Sequence, residues 1–196
     1  MKNFILMAIG LAPCLVFGQF DKGQIYLGGT LSTSIHNTPT VASVSLSNAF
    51  EVSPSFNVFL NNRLSLGASI GYSCMKAQVF NPITATVISG TTNTISFSPI
   101  ARYYLPISSS FFVAFQGQAS YSHSNSNIYY ASDFGYGINF SPVFIFFPVP
   151  RWGIEGTIGA IGYTRTHYAS SSTFDNNFIL NAGSFSFGVA YYFKRK

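Results

Sequence analysis

The sequence predicts an all-β fold, an eight-stranded antiparallel up-and-down transmembrane β-barrel. Charged residues make up 8% of its 196 residues and hydrophobic residues 47%, whereas a typical soluble domain is about 25% charged. Beyond the N-terminus, no stretch approaches the roughly 18 uninterrupted apolar residues that a membrane-spanning helix needs. Apolar and polar residues instead alternate with a period of two from Gln24 onward. Strands that contact lipid must close into a barrel, because hydrocarbon offers no partner to an open edge.

The N-terminus has the layout of a secretory signal peptide. Met1-Lys2-Asn3 is a short basic start, and an apolar run follows from Phe4 to Phe17. That run is too short to anchor a membrane, and Gly18 supplies a small residue at the cleavage position. The chain is therefore divided into a signal peptide, residues 1–18, and an outer-membrane β-barrel domain, residues 19–196.

A lipoprotein signal is the alternative for this N-terminus. Leu11-Ala12-Pro13-Cys14 loosely matches a lipoprotein box, but proline directly before the cysteine fits that pattern poorly. If Cys14 leaves with the signal peptide, Cys74 is the only cysteine of the mature chain. A disulfide or cysteine metal site within one chain is then excluded.

Eight segments carry the alternation, and each is long enough to cross a bilayer as a tilted strand of about ten residues. Their apolar residues are predicted to face lipid, and the intervening Ser, Gly, Asn and Gln residues the lumen. Val143, Ile145 and Phe147 interrupt the polar face of the sixth segment. The segments run from Gln24 to Ser32, Phe50 to Leu60, Leu64 to Ser73, Ile95 to Leu105, Phe111 to Ser122, Ile138 to Phe147, Trp152 to Ala160 and Ser184 to Phe193.

Short and long connections alternate along the chain, as they do between the two rims of an outer-membrane barrel. The short ones are predicted to be periplasmic turns, and they lie at Asn61-Asn62, Pro106 to Ser109, and Pro148 to Pro150. The long ones are rich in Ser, Thr and Asn and are predicted to be outer loops. They cover His36 to Ser45, Ala77 to Thr92, Ser124 to Phe134, and Thr166 to Leu180.

A Ser-Pro pair recurs inside three of the alternating segments, at Pro54, Pro99 and Pro142. Proline removes a ladder hydrogen bond, and a closed barrel has no edge strand to hold it. All three prolines are therefore predicted at bulges or rim positions. Tyr163 falls on the wrong face for its segment, which indicates either a bulge between Gly159 and Gly162 or a misregistered seventh strand.

Three ionic residues, Glu51, Arg102 and Glu155, are predicted to point into the lumen. Eight strands leave an interior only wide enough for side chains to fill, so we expect no open channel of the general-porin type. Charges in a dry lumen must pair. The pairing is interpreted as a structural network, and a gate that passes ions when the pairing switches is the alternative.

The histidines are the only candidates for catalysis. His36, His123 and His167 scatter over the predicted outer loops, which argues against a metal site. A nucleophile, a base and an orienting acid must lie within hydrogen-bond reach, and serine is too common here to make its presence beside a histidine informative. The one comparable set is His123 with Ser124 or Ser126, and Asp133 or Asp175. We expect no enzymatic activity, no metal and no cofactor.

The formal charge of +5 is dispersed. Lys22, Arg63 and Arg151 lie at predicted turns or termini, and the only basic cluster is Lys194-Arg195-Lys196. Nucleic acid is therefore not an expected partner, since its binding needs a basic patch with interleaved aromatics. Outer-membrane lipids and lipopolysaccharide are expected instead. Aromatic girdles are predicted from Tyr103, Phe111, Phe146, Trp152, Tyr191 and Phe193 toward the periplasm, and from Tyr72, Tyr121, Tyr129 and Tyr130 outside.

Gly28-Gly29, Leu64-Ser65-Leu66-Gly67, the Ser-Pro segments and the closing Phe187 to Phe193 resemble the outer-membrane β-barrel family of Bacteroidetes-type bacteria, akin to the transmembrane domain of OmpA. The resemblance implies the outer membrane of a Gram-negative cell. It also implies insertion by the barrel-assembly machinery, which reads a last strand with terminal aromatics, here Tyr191 and Phe193. Lys194-Arg195-Lys196 beyond them departs from the pattern. No peptidoglycan-binding domain is expected after the barrel.

These observations predict a barrel with a structural or surface-interaction role. Two alternatives are an outer-membrane hydrolase that modifies lipid A and, from another fold class, a secreted β-sandwich, which would also alternate. The long segments argue against the sandwich, because sandwich strands usually run to about five or six residues.

Overall fold

The computed structural model describes residues 20–39, 44–81, 86–127, 131–168 and 173–193. The predicted signal peptide, Tyr129, Tyr130 and Lys194-Arg195-Lys196 lie outside them. The strands are β1 (Ile25–Pro39), β2 (Val44–Phe59), β3 (Leu64–Asn81), β4 (Thr86–Pro106), β5 (Phe111–Ser126), β6 (Ala131–Val149), β7 (Trp152–Tyr168) and β8 (Thr173–Tyr192).

The strands form one closed sheet. Each pairs antiparallel with the next, and β1 pairs with β8 from Tyr26↔Tyr192 to Leu31↔Phe187. The predicted eight-stranded up-and-down barrel is therefore confirmed, and the β-sandwich alternative is wrong because all eight described strands belong to one closed sheet. The described ranges hold no helix of the length and apolarity needed to cross a membrane.

Alternation sorts the side chains onto two faces of this sheet, as predicted. On β1, Leu27 and Leu31 are exposed on the outer face and Tyr26 is fully buried inside. On β4, Phe97 is exposed and Arg102 is buried. Successive residues of a strand point to opposite faces, so the face of each residue follows from its position along the strand.

The strands are longer than the sequence indicated, and the four predicted outer loops are mostly strand. The β3–β4 ladder, for example, runs without interruption from Leu64↔Tyr103 to Asn81↔Thr86. Loops were predicted there because these stretches are polar. In a hairpin, however, the register set within the apolar part extends outward, and each polar residue still pairs its backbone with the opposite strand.

The prediction of bulge or rim positions is wrong for two of the three prolines. Pro54 and Pro99 lie inside β2 and β4, and the strand register is the same on both sides of each. Neither is at a bulge or a rim. Each proline is paired with the neighbouring strand on one side and is unpaired with the strand on its other side. The sheet therefore tolerates the missing N–H of proline without the extra residue of a bulge. Pro142 lies beside a register shift between Phe140 and Val143.

A bulge in β7 accounts for the face of Tyr163. Gly159 has a φ of 66°, and the β7–β8 register shifts between Ile158 and Ala160. Before the shift the outward residues of β7 have even numbers, as the exposed Ile158 does. After the shift they have odd numbers, as the exposed Tyr163 does. The predicted bulge near Gly159 is thus confirmed. Ala160, predicted to face lipid, lines the lumen instead.

Gly159→Ala tests whether the bulge needs glycine. A left-handed φ costs a residue with a Cβ about 1–2 kcal/mol, so we expect a loss of that size in unfolding free energy. Gly156→Ala is the matched control in the same strand, because its Cβ would meet the Phe185 ring at an ordinary 3.4 Å. Urea unfolding in lipid vesicles, followed by the fluorescence of Trp152, measures both. Equal stability of the two variants would contradict the assignment.

Candidate functional site in the barrel lumen

One end of the lumen is filled by apolar side chains. This end carries the short turns after β2, β4 and β6, and is called the short-turn end below. The filling group, here named the aromatic floor, consists of Phe20, Tyr26, Phe59, Tyr104, Phe112, Ala114, Val143, Ile145, Phe147, Ala190 and Tyr192. The three residues that interrupt the polar face of β6 belong to it, so their apolar character has a structural reason.

Phe20 lies at the centre of the aromatic floor. Its ring is 4.3 Å from that of Phe59 between centroids, and 5.0 Å from those of Tyr104 and Phe112. The rings of Tyr192 and Phe147 follow at 5.6 and 5.9 Å. Aromatic pairs at such separations are favourable beyond the area they bury. The segment before β1 therefore contributes the central side chain of the closure.

A tight turn directs Phe20 into the barrel. The Gln24 N–H donates to the Asp21 carbonyl at 2.9 Å, and the Gly23 N–H donates to the Phe59 carbonyl at 2.7 Å. Gly23 has a φ of 80°, a conformation that glycine adopts without steric cost. The turn is thereby tied to β2 and reverses the chain just before β1.

The aromatic floor was not among the features predicted from the sequence, although aromatic doublets indicate it. Tyr103-Tyr104, Phe111-Phe112, Phe146-Phe147 and Tyr191-Tyr192 all lie next to the short-turn end. In each doublet the second ring is buried in the floor and the first lies on the outer face. An aromatic doublet where strict alternation should continue thus marks a level at which both faces are apolar.

Phe20→Ala tests the floor. Removing a buried phenyl group costs about 3–5 kcal/mol, so we expect a destabilisation of that order in urea unfolding from lipid vesicles. Phe20→Leu keeps an apolar side chain in place and should lose clearly less. If Phe20→Ala unfolds at the same urea concentration as the unchanged chain, the packing of Phe20 does not contribute to stability.

A buried ion pair lies directly against the floor. Arg102 Nη1 is 2.7 Å from Glu155 Oε2, and the two side chains are 7% and 8% exposed. Arg102 Nε donates to Gln116 Oε1 at 2.6 Å, and the Tyr192 hydroxyl donates to Glu155 Oε1 at 3.3 Å. Both charges therefore have further polar partners, as a desolvated pair requires.

Tyrosine hydroxyls join the floor to the ion pair. Tyr104 donates to the Tyr26 hydroxyl at 2.8 Å, and that hydroxyl is 3.4 Å from Ser65 Oγ. The Arg102 guanidinium lies 5.9 Å from the centroid of the Tyr26 ring. These tyrosines pack their rings with Phe20 or Phe59 and turn their hydroxyls toward each other, Ser65 and the ion pair. Their amphipathic side chains suit this boundary.

Of the three ionic residues predicted in the lumen, the structure brings two together. Glu51 also faces inward but lies apart from the pair, where it accepts a hydrogen bond from Ser53 Oγ at 3.1 Å. Which carboxylate Arg102 meets depends on strand stagger around the barrel, which alternation does not specify. The partner of Arg102 therefore could not be predicted from the sequence.

A double-mutant cycle tests the ion pair. Arg102→Met and Glu155→Leu each leave an unpaired buried charge and should each cost about 3–5 kcal/mol in unfolding free energy. The double variant leaves neither charge, so its loss should be well below the sum of the two. Arg63→Met, at an exposed turn, is the control and should change little. Additive losses would show that the two charges are not coupled.

Beyond the ion pair the lumen holds a cavity of about 600 Å³ lined by residues of all eight strands. This corrects the expectation that side chains fill the interior. Its wall is rich in hydroxyls and amides, and includes Ser53, Ser98 and Ser141, the serines of the three Ser-Pro pairs. The ion pair and the aromatic floor lie between this cavity and the short-turn end.

The candidate catalytic set is not assembled. His123 is paired with Ile95 on the outer face, whereas Ser124 faces inward, 2.7 Å from Thr94 Oγ1. Asp133 pairs with Ser124, and Asp175 accepts from Asn177 on the inner face. The sheet thus separates the base from the nucleophile and the acid.

Nor do the other histidines form a site. The ring of His167 stacks on Phe134 at 4.6 Å on the outer face, and the side chain of His36 lies outside the described residues. Within the described ranges, no group of three or more His, Cys, Asp or Glu residues could hold a metal ion.

The outer face carries an apolar band between two rings of aromatic residues. At the short-turn end, Tyr191 packs against Trp152 at 5.1 Å and against Phe193 at 5.0 Å. Toward the opposite end lie Tyr72, Tyr121, Tyr136 and Tyr163, all exposed, here named the tyrosine ring. The stretch from Phe111 to Tyr121 rises roughly 25 Å, at about 3.4 Å per residue and a tilt of about 40°.

The two faces of the strands also differ in charge. The strand carboxylates Glu51, Asp133, Glu155 and Asp175 share the inner face. Of the strand cations, Lys76 and Arg165 lie on the outer face beyond the tyrosine ring, while Arg102 is held inside by its partner. The fold and these faces define an eight-stranded antiparallel barrel with an apolar exterior and a polar, closed-ended lumen.

Comparison with solved structures agrees with that class. The chain is similar to the crystal structure of the outer membrane protein OprG from Pseudomonas aeruginosa, with a TM-score of 0.54 and 12% sequence identity over 90% of this chain and 99% of OprG. At this identity the similarity shows the fold alone. No protein-family model matches the sequence, and no curated protein matches it.

Proposed function

We propose that this chain is an integral outer-membrane β-barrel protein with a structural or surface-interaction role, without catalytic activity and without an open general-porin channel. The observation that carries the proposal is the apolar band on the outer face, bounded by aromatic residues at both ends. A monomeric soluble protein rarely exposes an apolar patch larger than about 300–600 Å². A band around the whole barrel instead matches the hydrocarbon layer, which such barrels cover with a belt about 25 Å tall.

Orientation follows from the connections. Short turns lie on the periplasmic side of such barrels, so we infer that side for the aromatic floor, Phe20 and Phe193. Lys76 and Arg165 then lie at the level of the outer-leaflet headgroups. Phosphate groups of lipopolysaccharide and other lipids are the partners that suit cations just beyond an aromatic girdle.

We also infer how the chain is exported and inserted into the membrane. The signal peptide, residues 1–18, directs export from the cytoplasm of a Gram-negative cell, and the barrel-assembly machinery reads the terminal aromatics Tyr191 and Phe193. The finer kinship, with Bacteroidetes-type barrels akin to the OmpA transmembrane domain, rests on the sequence patterns quoted above. OprG, a similar fold, is itself an outer membrane protein, which supports the location.

A lipid A hydrolase receives no support from the geometry. Its base, His123, lies on the opposite face of β5 from Ser124 and Ser126. The lumen is better described as a structural core. The aromatic floor and the Arg102–Glu155 pair fill it on one side, and the cavity beyond them has no nucleophile placed beside a histidine among its described lining residues.

Gel mobility of cold and boiled samples from isolated outer membranes tests the proposal. A folded barrel resists detergent at low temperature, so the unboiled protein should migrate differently from the boiled one. The N-terminal sequence of the same band should begin at Gln19. Identical mobility together with release of the protein into buffer would contradict a membrane location, and a start at Met1 would contradict signal cleavage.

A further inference from the structure

The outer wall of β7 and β8 carries an ordered series of cross-strand pairs. From the middle of the barrel outward, the pairs are Ile161↔Leu180, Tyr163↔Phe178 and Arg165↔Asn176. The first is aliphatic, the second aromatic, and the third joins a cation to an amide. All six residues share the outer face, so the wall changes from apolar to cationic over a few residues.

The apolar part of this series is unusually open. Leu180 and Phe178 are 75% and 71% exposed, the highest values among the large hydrophobic residues that the structure describes. Ile161 and Tyr163 beside them are also exposed. These four side chains form an apolar strip that runs up to Arg165.

Arg165 is available for an anion. No carboxylate lies within ion-pair distance of it in the described parts of the chain. Its guanidinium lies 4.1 Å from the centroid of the Phe174 ring, which holds the group against the wall and leaves its donors for a ligand. Arginine presents a planar fork that matches the oxygens of a phosphate group.

Asn176 adds a second donor beside Arg165. The Tyr163 hydroxyl donates to Asn176 Oδ1 at 2.7 Å. That bond engages the amide oxygen, so the Nδ2 group of this exposed side chain points its hydrogens elsewhere. The amide nitrogen and the guanidinium therefore lie on neighbouring strands at the same level of the wall.

We propose that this wall binds a phosphate-bearing glycolipid of the outer leaflet. The phosphate contacts Arg165 and Asn176, and an acyl chain lies along the strip formed by Ile161, Tyr163, Phe178 and Leu180. The occupant must be an amphiphile, since the strip and the cation adjoin. This inference rests on the proposed membrane location and names the lipid site that location provides.

Lys76, the other outward strand cation that the structure describes beyond the tyrosine ring, differs from Arg165 in its head group and in the surface below it. Its cross-strand partners are Asn48 and Thr91, and an ammonium is a point charge without a fork. Directly below it the outward residues are Phe50, Cys74 and Asn93, so an amide interrupts the apolar surface that leads to it. The series on β7 and β8 is therefore a better lipid site than a general basic rim.

Binding of diphosphoryl lipid A to the folded full-length mature chain tests the proposal. The chain is placed in phosphatidylcholine nanodiscs, titrated with diphosphoryl lipid A, and followed by amide NMR shifts of residues 163–166 and 174–177. Arg165→Ala should weaken the apparent affinity by about tenfold or more, since it removes hydrogen bonds to a charged group. Arg165→Lys should weaken it less.

The matched control is Arg63→Ala, which removes the same charge at the short-turn rim and should change the affinity less than about twofold. Equal binding by the Arg165 and Arg63 variants would overturn the proposal. So would inorganic phosphate that reproduces the same shifts at the same concentration, because the site would then select a free anion. Heat-modifiable mobility in these samples shows that each variant is folded. The membrane location is tested separately on isolated outer membranes, so failure of this site is distinguishable from failure of that location.

Discussion

Closure of the sheet is the constraint on which the rest of the structure depends. In hydrocarbon an unpaired backbone group costs several kcal/mol, so a strand can cross only if both its neighbours pair with it. The β1–β8 seam, from Tyr26↔Tyr192 to Leu31↔Phe187, supplies the last set of pairs. Once the sheet is closed, each side chain has only two possible surroundings, the outer wall or the lumen.

The seam and the aromatic floor stabilise each other. Tyr26 and Tyr192 form the first pair of the seam and stack at 4.7 Å inside the floor. Tyr192 also donates to Glu155 on β7, and Tyr26 receives a bond from Tyr104 on β4. The seam is thus joined through its inward side chains to strands on other parts of the wall, and Phe20 packs against the same Tyr192 ring.

Alternation predicts what depends on local sequence. It specified the number of strands and the faces of most residues inside the eight predicted segments. Through Tyr163 it also indicated a bulge near Gly159, with a misregistered strand as the alternative. It did not specify features set by the whole barrel. Phe20 precedes any periodic segment, so no pattern points to it. The Arg102–Glu155 contact joins β4 to β7 across the lumen, and depends on diameter and stagger. Strand length was underestimated because polar residues of a hairpin beyond the apolar band can still pair their backbones.

The net charge of the chain describes neither face of the sheet, because acidic and basic side chains lie on different faces. The formal charge of +5 suggests a basic protein, yet the strand carboxylates of the described residues share the lumen face, where Arg102 is the strand cation. Lys76 and Arg165 are on the outer wall, separated from those acids by the sheet itself. Among the described residues, neither outer cation forms an ion pair with an inner carboxylate, so the two sets of charge do not neutralise each other by contact. The lumen wall therefore carries mostly carboxylates, and the outer rim beyond the tyrosine ring carries cations.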